Sequence, residues 1–394
     1  MSIDRRSLLV TSTGLFASAF LPHAAFAANT PNGRDPRFVV IILRGALDGL
    51  AAVPPVGDPD FGGLRPPAWD GDALKLDGFF GLNPAMPNLG RLYKGGQATL
   101  IHAAATPYRN RSHFDGQDVL ESGHDKPGFA DSGWLNRLIL SLGKGERING
   151  NKGLSVGTLT PLVIRGEAPL LGWAPQQLKA ADPDLAPRLL RLYGDTDPAL
   201  MTVLQEGIET GKIASDMSGM QGGGGAAGNM VEMARGAAAL MARDDGPRIA
   251  AMAFDGWDTH TAEQRRLTQL LGGLDSAIAA LEQGLGPKWQ DTVVLVATEF
   301  GRTARFNGTQ GSDHGQATAV FLAGGAVKGG RVIADWPGLK SAQLYEGRDL
   351  MPTTDLRSVI MGVARDHLGA DVRALQTDVF PGALGVKPMD GLIA

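Results

Sequence analysis

Carboxylates and imidazoles gather at four points of the 394-residue chain, each at the end of an apolar run or just before one. Asp48 follows the run 37–43. Asp255, Asp258 and His260 follow 248–254, Glu299 follows 292–298, and Asp313 with His314 precedes 317–322. Such groups crowded into one crevice repel or desolvate one another unless a cation neutralises them, and a divalent metal does so most directly. The chain has no cysteine, so a metal here is held by oxygen and imidazole nitrogen alone. Each residue also has a plainer role open to it. Asp48, beside Gly49, suits a turn. Glu299, ending a buried run, can pair with Arg302 or Arg305. His260 can cap a helix, and Asp313 and His314 can be ordinary loop residues. Their common position at run ends favours metal, with either Asp255 or Asp258 as the aspartate ligand.

A second constellation lies in the segment 107–115, Pro-Tyr-Arg-Asn-Arg-Ser-His-Phe-Asp. Ser112 stands where a helix is expected to begin, so its hydroxyl faces unpaired backbone N–H groups and the positive end of the helix dipole. Beside a bound metal that hydroxyl becomes a nucleophile. Arg109 and Arg111 can hold an oxyanion through forked guanidinium groups. The plainer alternative makes Ser112 a helix cap and the arginines solvated surface residues.

The elements that must position these groups alternate along the chain. Residues 37–43 form a β-rich apolar run of the kind buried on both faces. Residues 54–81, rich in glycine and proline, read as a long loop. A helix is expected at 87–94, a strand at 98–104, a helix at 112–122, one or two short strands within 156–175, and helical pattern over 182–213. The glycine tract 221–228 follows no strand and reads as a flexible link, not a phosphate cradle. Beyond it come a helix at 230–242, a strand at 248–254, a helix at 262–283, strands at 292–298 and 317–322, and a terminal helix at 354–367. This order predicts an α/β domain with a mostly parallel sheet, whose crevice lies beyond the carboxyl ends of the strands. Residues from about 151 to 246 interrupt the pattern and are expected to form an inserted cap on a single domain spanning 28–394.

Residues 1–27 carry Arg5-Arg6, an apolar run from Leu8 to Phe20 and the small-x-small site Ala25-Phe26-Ala27. That is the pattern of a twin-arginine export signal, which implies the export machinery as a partner and a periplasmic or secreted location. No later segment is apolar for long enough to span a bilayer. The formal net charge of −4 gives no basic excess for nucleic acid.

Taken together, the export signal and the motifs LRGALDG, YRNRSHFDGQDVLESG, FDGWDTH, ATEFGR, GSDHG and GGAVKGG resemble the DUF1501 family, a branch of the alkaline phosphatase/sulfatase-like superfamily. The likeness runs over nearly all of 28–394. It implies an alkaline-phosphatase-like three-layer sandwich and a site with two divalent metals, among Zn, Mg, Ca and Mn. Asp48 matches the first metal aspartate and Ser112 the nucleophile. Asp255 or Asp258 with His260, and then His314, match the ligands of one metal. The implied activity is hydrolysis of small anionic phosphate or sulfate esters through a covalent intermediate on Ser112. Three departures stand out. Phe300 follows Glu299 where the superfamily has a histidine, the interval from Asp255 to His260 is one residue longer, and no Cys-x-Pro-x-Arg signature is present. The alternative is a non-catalytic metal- or ligand-binding protein of the cell envelope that keeps the fold.

Overall fold

The computed structural model describes residues 34–65, 72–128, 130–142, 153–175 and 225–394, with scattered positions between 189 and 208. The expected export signal, the glycine tract up to residue 224 and most of the expected helical stretch 182–213 lie outside the described residues. In chain order the elements that matter are β1 (Arg37–Leu43), α1 (Pro87–Lys94), β2 (Ala98–Ala105), α2 (His113–Ser122), α3 (Trp134–Ser141), β3 (Gly153–Val156), β4 (Leu170–Trp173) and α4 (Ala226–Met241). Then follow β5 (Ile249–Phe254), α5 (Glu263–Leu285), β6 (Thr292–Thr298), β7 (Thr318–Ala323), β8 (Arg331–Ile333), β9 (Thr354–Asp355) and α6 (Leu356–Leu368).

Among the described residues nine strands make one sheet in the order β8-β2-β7-β6-β1-β5-β3-β4, with β9 added beside β2. Strand β7 runs against β2 and β6, and every other pairing is parallel. The unbroken apolar run of β1 follows from its central place. Successive side chains of a strand point to opposite faces, so Val39, Ile41 and Leu43 enter one core while Phe38, Val40 and Ile42 enter the other. Helices α1, α4 and α5 cover the first face, and α3 and α6 the second. The result is a three-layer α/β sandwich. Each Val, Ile or Leu buried in this way contributes about 1.5–3 kcal/mol relative to exposure, which is how a chain without disulfides holds so wide a sheet.

One expectation needs correcting. Within residues 151–246, β3 pairs with β5 and β4 with β3, and α4 packs in the same core as α5. Leu154 and Val156 are buried in that core. The described part of the stretch thus widens the main sheet, because its apolar residues are covered by the sheet and not by a separate cap.

Strand direction decides where the site lies. β1, β5 and β6 are parallel neighbours, so the segments after Leu43, Phe254 and Thr298 emerge at one edge. β2 ends at that edge as well, and antiparallel β7 begins there. His314 before β7 and the start of α2 after β2 therefore arrive at the same crevice.

Candidate metal centre

Four side chains meet in this crevice: His113, the first residue of α2; Asp258 and His260, after β5; and His314, before β7. One ligand atom each from His113, Asp258 and His314 lies within 4.8 Å of the others. His260 Nε2 is 3.1 Å from Asp258 Oδ1 and 2.9 Å from His314 Nε2. Asp258 Oδ1 is 3.3 Å from His314 Nε2 and 3.5 Å from His113 Nε2. Two ligands bound at about 2.0–2.1 Å to one tetrahedral ion stand roughly 3.3 Å apart. The measured separations bracket that length.

The backbone permits this approach at two glycines. Gly45 has φ 118°, and a Cβ there would lie 2.4 Å from the Asp258 nitrogen. A Cβ on Gly311 would lie 2.2 Å from the His260 carbonyl. Any larger residue at either position pushes the Asp258–His260 loop out of place.

Each imidazole is aimed by an acceptor behind it. His113 Nδ1 donates to Glu299 Oε1 at 2.8 Å, His260 Nδ1 to Asp313 Oδ1 at 3.0 Å, and His314 Nδ1 to the Arg111 carbonyl at 3.0 Å. A neutral imidazole that donates from Nδ1 keeps a lone pair on Nε2. Three lone pairs consequently converge on Asp258. The facing His260 and His314 nitrogens have no hydrogen between them in these tautomers, and His113 Nε2 is buried with no hydrogen-bond partner. Either protons or a cation must relieve that arrangement, and the backing of ring N–H groups by carboxylates and a carbonyl is the outer shell metal-bound histidines have. The residues fit a divalent cation.

Charge acts differently on each group of the site, and at His113 a proton competes with a cation. The Glu299 hydrogen bond, working against burial, holds the His113 pKa above the ordinary histidine value. Burial, followed by the nearby charges of His113 and Arg302, holds His314 below it and so neutral. For Asp258 burial works upward, but the hydrogen bond and charge of Arg302 outweigh it and keep the carboxylate ionised. Arg302 Nη1 donates to Asp258 Oδ1 at 2.7 Å. Its Nε and Nη2 donate to the Ser312 hydroxyl and carbonyl at 3.2 and 2.7 Å, which fixes the guanidinium.

Of the residues expected to share the site, Asp258, His260 and His314 come together, and the others stand elsewhere. Asp255 directly follows β5 but is exposed, lining an open groove with Arg266 and not the crevice. Asp258 is the aspartate in the cluster. Asp48 caps the short helix Gly49–Ala52 through Ala51 N at 3.0 Å and is bound through both oxygens by Arg65. Glu299 and Asp313 stand behind histidines and not at the cluster's centre. Glu299 does not pair with Arg302, which serves Asp258. Its Oε1 accepts from His113, from Gly45 N at 2.9 Å and from Gln117 Nε2 at 3.0 Å.

Ser112 caps α2, its hydroxyl accepting from Asp115 N at 3.4 Å, and it directly precedes His113. Arg109 folds back onto the Thr106 and Tyr108 carbonyls. Arg111 binds buried Asp349 through Nε and Nη2 at 2.8 and 2.6 Å, and Glu346 at 2.6 Å. Both arginines, expected to hold an oxyanion, are engaged with protein groups here.

His113 is the residue that pattern reading passed over. Its signal lay in its interval to Gln117: residues i and i+4 of a helix share a face, and both reach Glu299. Phe300 also finds a place, its ring stacked on His113 with centroids 5.0 Å apart.

No curated protein sequence matches the chain. Solved structures with a similar chain course include the phosphonate monoester hydrolase of Agrobacterium radiobacter, at 11% identity, TM-score 0.40, 85% of this chain and 74% of that one. A 2-O GAG sulfatase is similar at 12% identity, TM-score 0.38, 91% of this chain and 76% of that one. TAB5 alkaline phosphatase with Mg bound is similar at 13% identity, TM-score 0.37, 76% of this chain and 94% of that one. Residues 83–377 match the family model described as "Protein of unknown function (DUF1501)", and the chain belongs to that family.

Proposed function

We propose that this protein is an exported, metal-dependent hydrolase of phosphate or sulfate esters, with a divalent cation held by His113, Asp258, His260 and His314 and with Ser112 as nucleophile. The observation that carries this reading is the convergence of three imidazole Nε2 atoms on one carboxylate, each ring backed at Nδ1 by an acceptor. A bound cation supplies Lewis acidity, polarising an ester oxygen and easing deprotonation of a neighbouring hydroxyl. The chain's own groups do the rest. Ser112 is one residue from a ligand and at a helix start, where N–H groups favour a negative oxygen. Attack by its Oγ on phosphorus or sulfur would expel the alcohol and leave an ester on Ser112, which water then cleaves. Asp258, His260 and Asp313 are each between a third and just over half exposed, so the centre is open to a small anionic ester. The twin-arginine pattern supports export through that machinery, to the periplasm or beyond.

A second reading, a non-catalytic metal- or ligand-binding envelope protein, draws on one observation: Arg109 and Arg111 are both engaged with protein groups. Turnover separates the two readings. The parent, Ser112→Ala and His314→Ala proteins are assayed, metal-loaded, on an aryl phosphate, a phosphodiester and an aryl sulfate. The hydrolase reading expects turnover in the parent and its loss by orders of magnitude in both variants. A metal-bound parent inert on all three esters favours the binding protein.

A further inference from the structure

We infer that Arg65 takes the place of a second cation, so that the centre binds one metal ion and the carboxylate after β1 is held by a guanidinium. This rests on the proposed metal site but goes beyond it, since the family resemblance implies two ions.

The second ion's expected oxygen ligands are Asp48 and Glu299, and every oxygen of both already lies within hydrogen-bond distance of a protein donor. Asp48 Oδ1 accepts from Arg65 Nη2 at 2.7 Å and from Ala51 N at 3.0 Å, while Oδ2 accepts from Arg65 Nη1. The two side chains are only 2% and 1% exposed, and the Arg65 guanidinium lies 4.9 Å from the centre of the Phe306 ring. Glu299 Oε1 takes three donors, and its Oε2 takes the Thr298 hydroxyl at 2.8 Å. The position after Glu299 is Phe300, which offers no lone pair and packs on His113. A second divalent ion would have to expel a buried guanidinium and strip four hydrogen bonds from a fully buried carboxylate.

Glu263 completes the account. It is buried, interacts with Asp48 and Arg65, and accepts from the Ser312 hydroxyl through Oε2. Burial, then the charge of Asp48, drives its pKa upward, so it sits protonated and the trio is neutral with a single guanidinium. A buried Arg65, paired with Asp48 through both terminal nitrogens, can fix that carboxylate but cannot coordinate a substrate oxygen as a metal ion does. Coordination of the ester falls to the one ion at the histidines.

The test counts metal in the full chain after loading with excess Mn²⁺ or Zn²⁺ and desalting. One equivalent is expected in the parent and in Asp48→Asn, where Glu263 can ionise to balance Arg65. Arg65→Ala uncovers two adjacent buried acids. It is expected to melt lower than the parent in chelator, to regain Tm on adding Mn²⁺, and to bind a second equivalent. Two equivalents in the parent, or loss of an equivalent in Asp48→Asn, overturns the inference and leaves the histidine site standing. An Arg65→Ala protein whose Tm ignores Mn²⁺ also counts against it. A parent that binds no metal sinks the proposed function and this inference together. Should Arg65→Ala fail to fold, the counts for the parent and Asp48→Asn still decide.

Discussion

Removing the Arg111 side chain should weaken metal binding from a distance, through the backbone. Arg111 holds φ 60°, the left-handed region that costs a non-glycine residue about 1–2 kcal/mol. What holds it there is visible: two hydrogen bonds to fully buried Asp349, one to Glu346, and the Tyr345 ring with its centre 5.8 Å from the guanidinium. In that conformation its carbonyl accepts His314 Nδ1–H at 3.0 Å and so aims Nε2 at Asp258. In Arg111→Ala the clamp is gone and the strain remains, so the peptide is expected to turn away and His314 to lose its acceptor. Loss of such a partner lowers metal affinity about 10–100-fold, which is roughly 1.4–2.7 kcal/mol. Folding should survive, because Asp349 keeps Arg348 at 2.9 Å as a counter-charge. Arg111→Gly relieves the strain without restoring the clamp and should fall between the alanine variant and the parent. The assay is competition against a chromophoric chelator, with Tm in excess chelator as the fold control. Parent-like affinity in Arg111→Ala, or identical losses in the alanine and glycine variants, would refute the reasoning.

Other outcomes follow from the same geometry. Glu299→Gln keeps an acceptor behind His113 but removes the charge that raises its pKa, and should lower metal affinity by roughly tenfold in the same competition assay. Gly45→Ala meets both a positive φ and the Asp258 nitrogen, and should cost at least about 1 kcal/mol in denaturant unfolding together with a measurable loss of metal. His102 and His367 are buried with pKa values lowered, by burial first, to about 4. Their folded values lie below the unfolded 6.5, so the stability they contribute is present above pH 6.5 and is lost as pH falls towards 4, by up to about 3 kcal/mol each. Replacing His102 by Gln should flatten the fall of Tm over that pH range, and an unchanged slope would count against it.

The fold was legible in the sequence where a single periodicity decided it. The unbroken apolar runs of β1 and β6 could only be strands covered on both faces, and Ser112 marked the start of α2 to the residue. His260 and His314 were legible as neighbours in one crevice because both flank strands that meet at one edge. His113 was not, since a histidine after an N-cap looks the same whether it faces solvent or Glu299. The parts taken by Glu299 and Asp313 depend on which ring nitrogen each one faces, and only side-chain direction fixes that. The pairing of Asp48 with Arg65 was not legible, because Arg65 sits 17 residues on in a loop with no period to place it. Residues from about 151 to 246 read as an insertion because the strands within them, Gly153–Val156 and Leu170–Trp173, are only four residues long, too short to show alternation.

Whether one cation sits between the histidines is decided by anomalous scattering from crystals of the metal-loaded protein, measured on both sides of the absorption edge of the bound ion. A peak is expected within bonding distance of His260 Nε2, His314 Nε2 and Asp258, with His113 Nε2 turned towards it and no second peak at Asp48. A peak beside Asp48 and Glu299 instead, or a loaded crystal with no ion between the histidines, would contradict it.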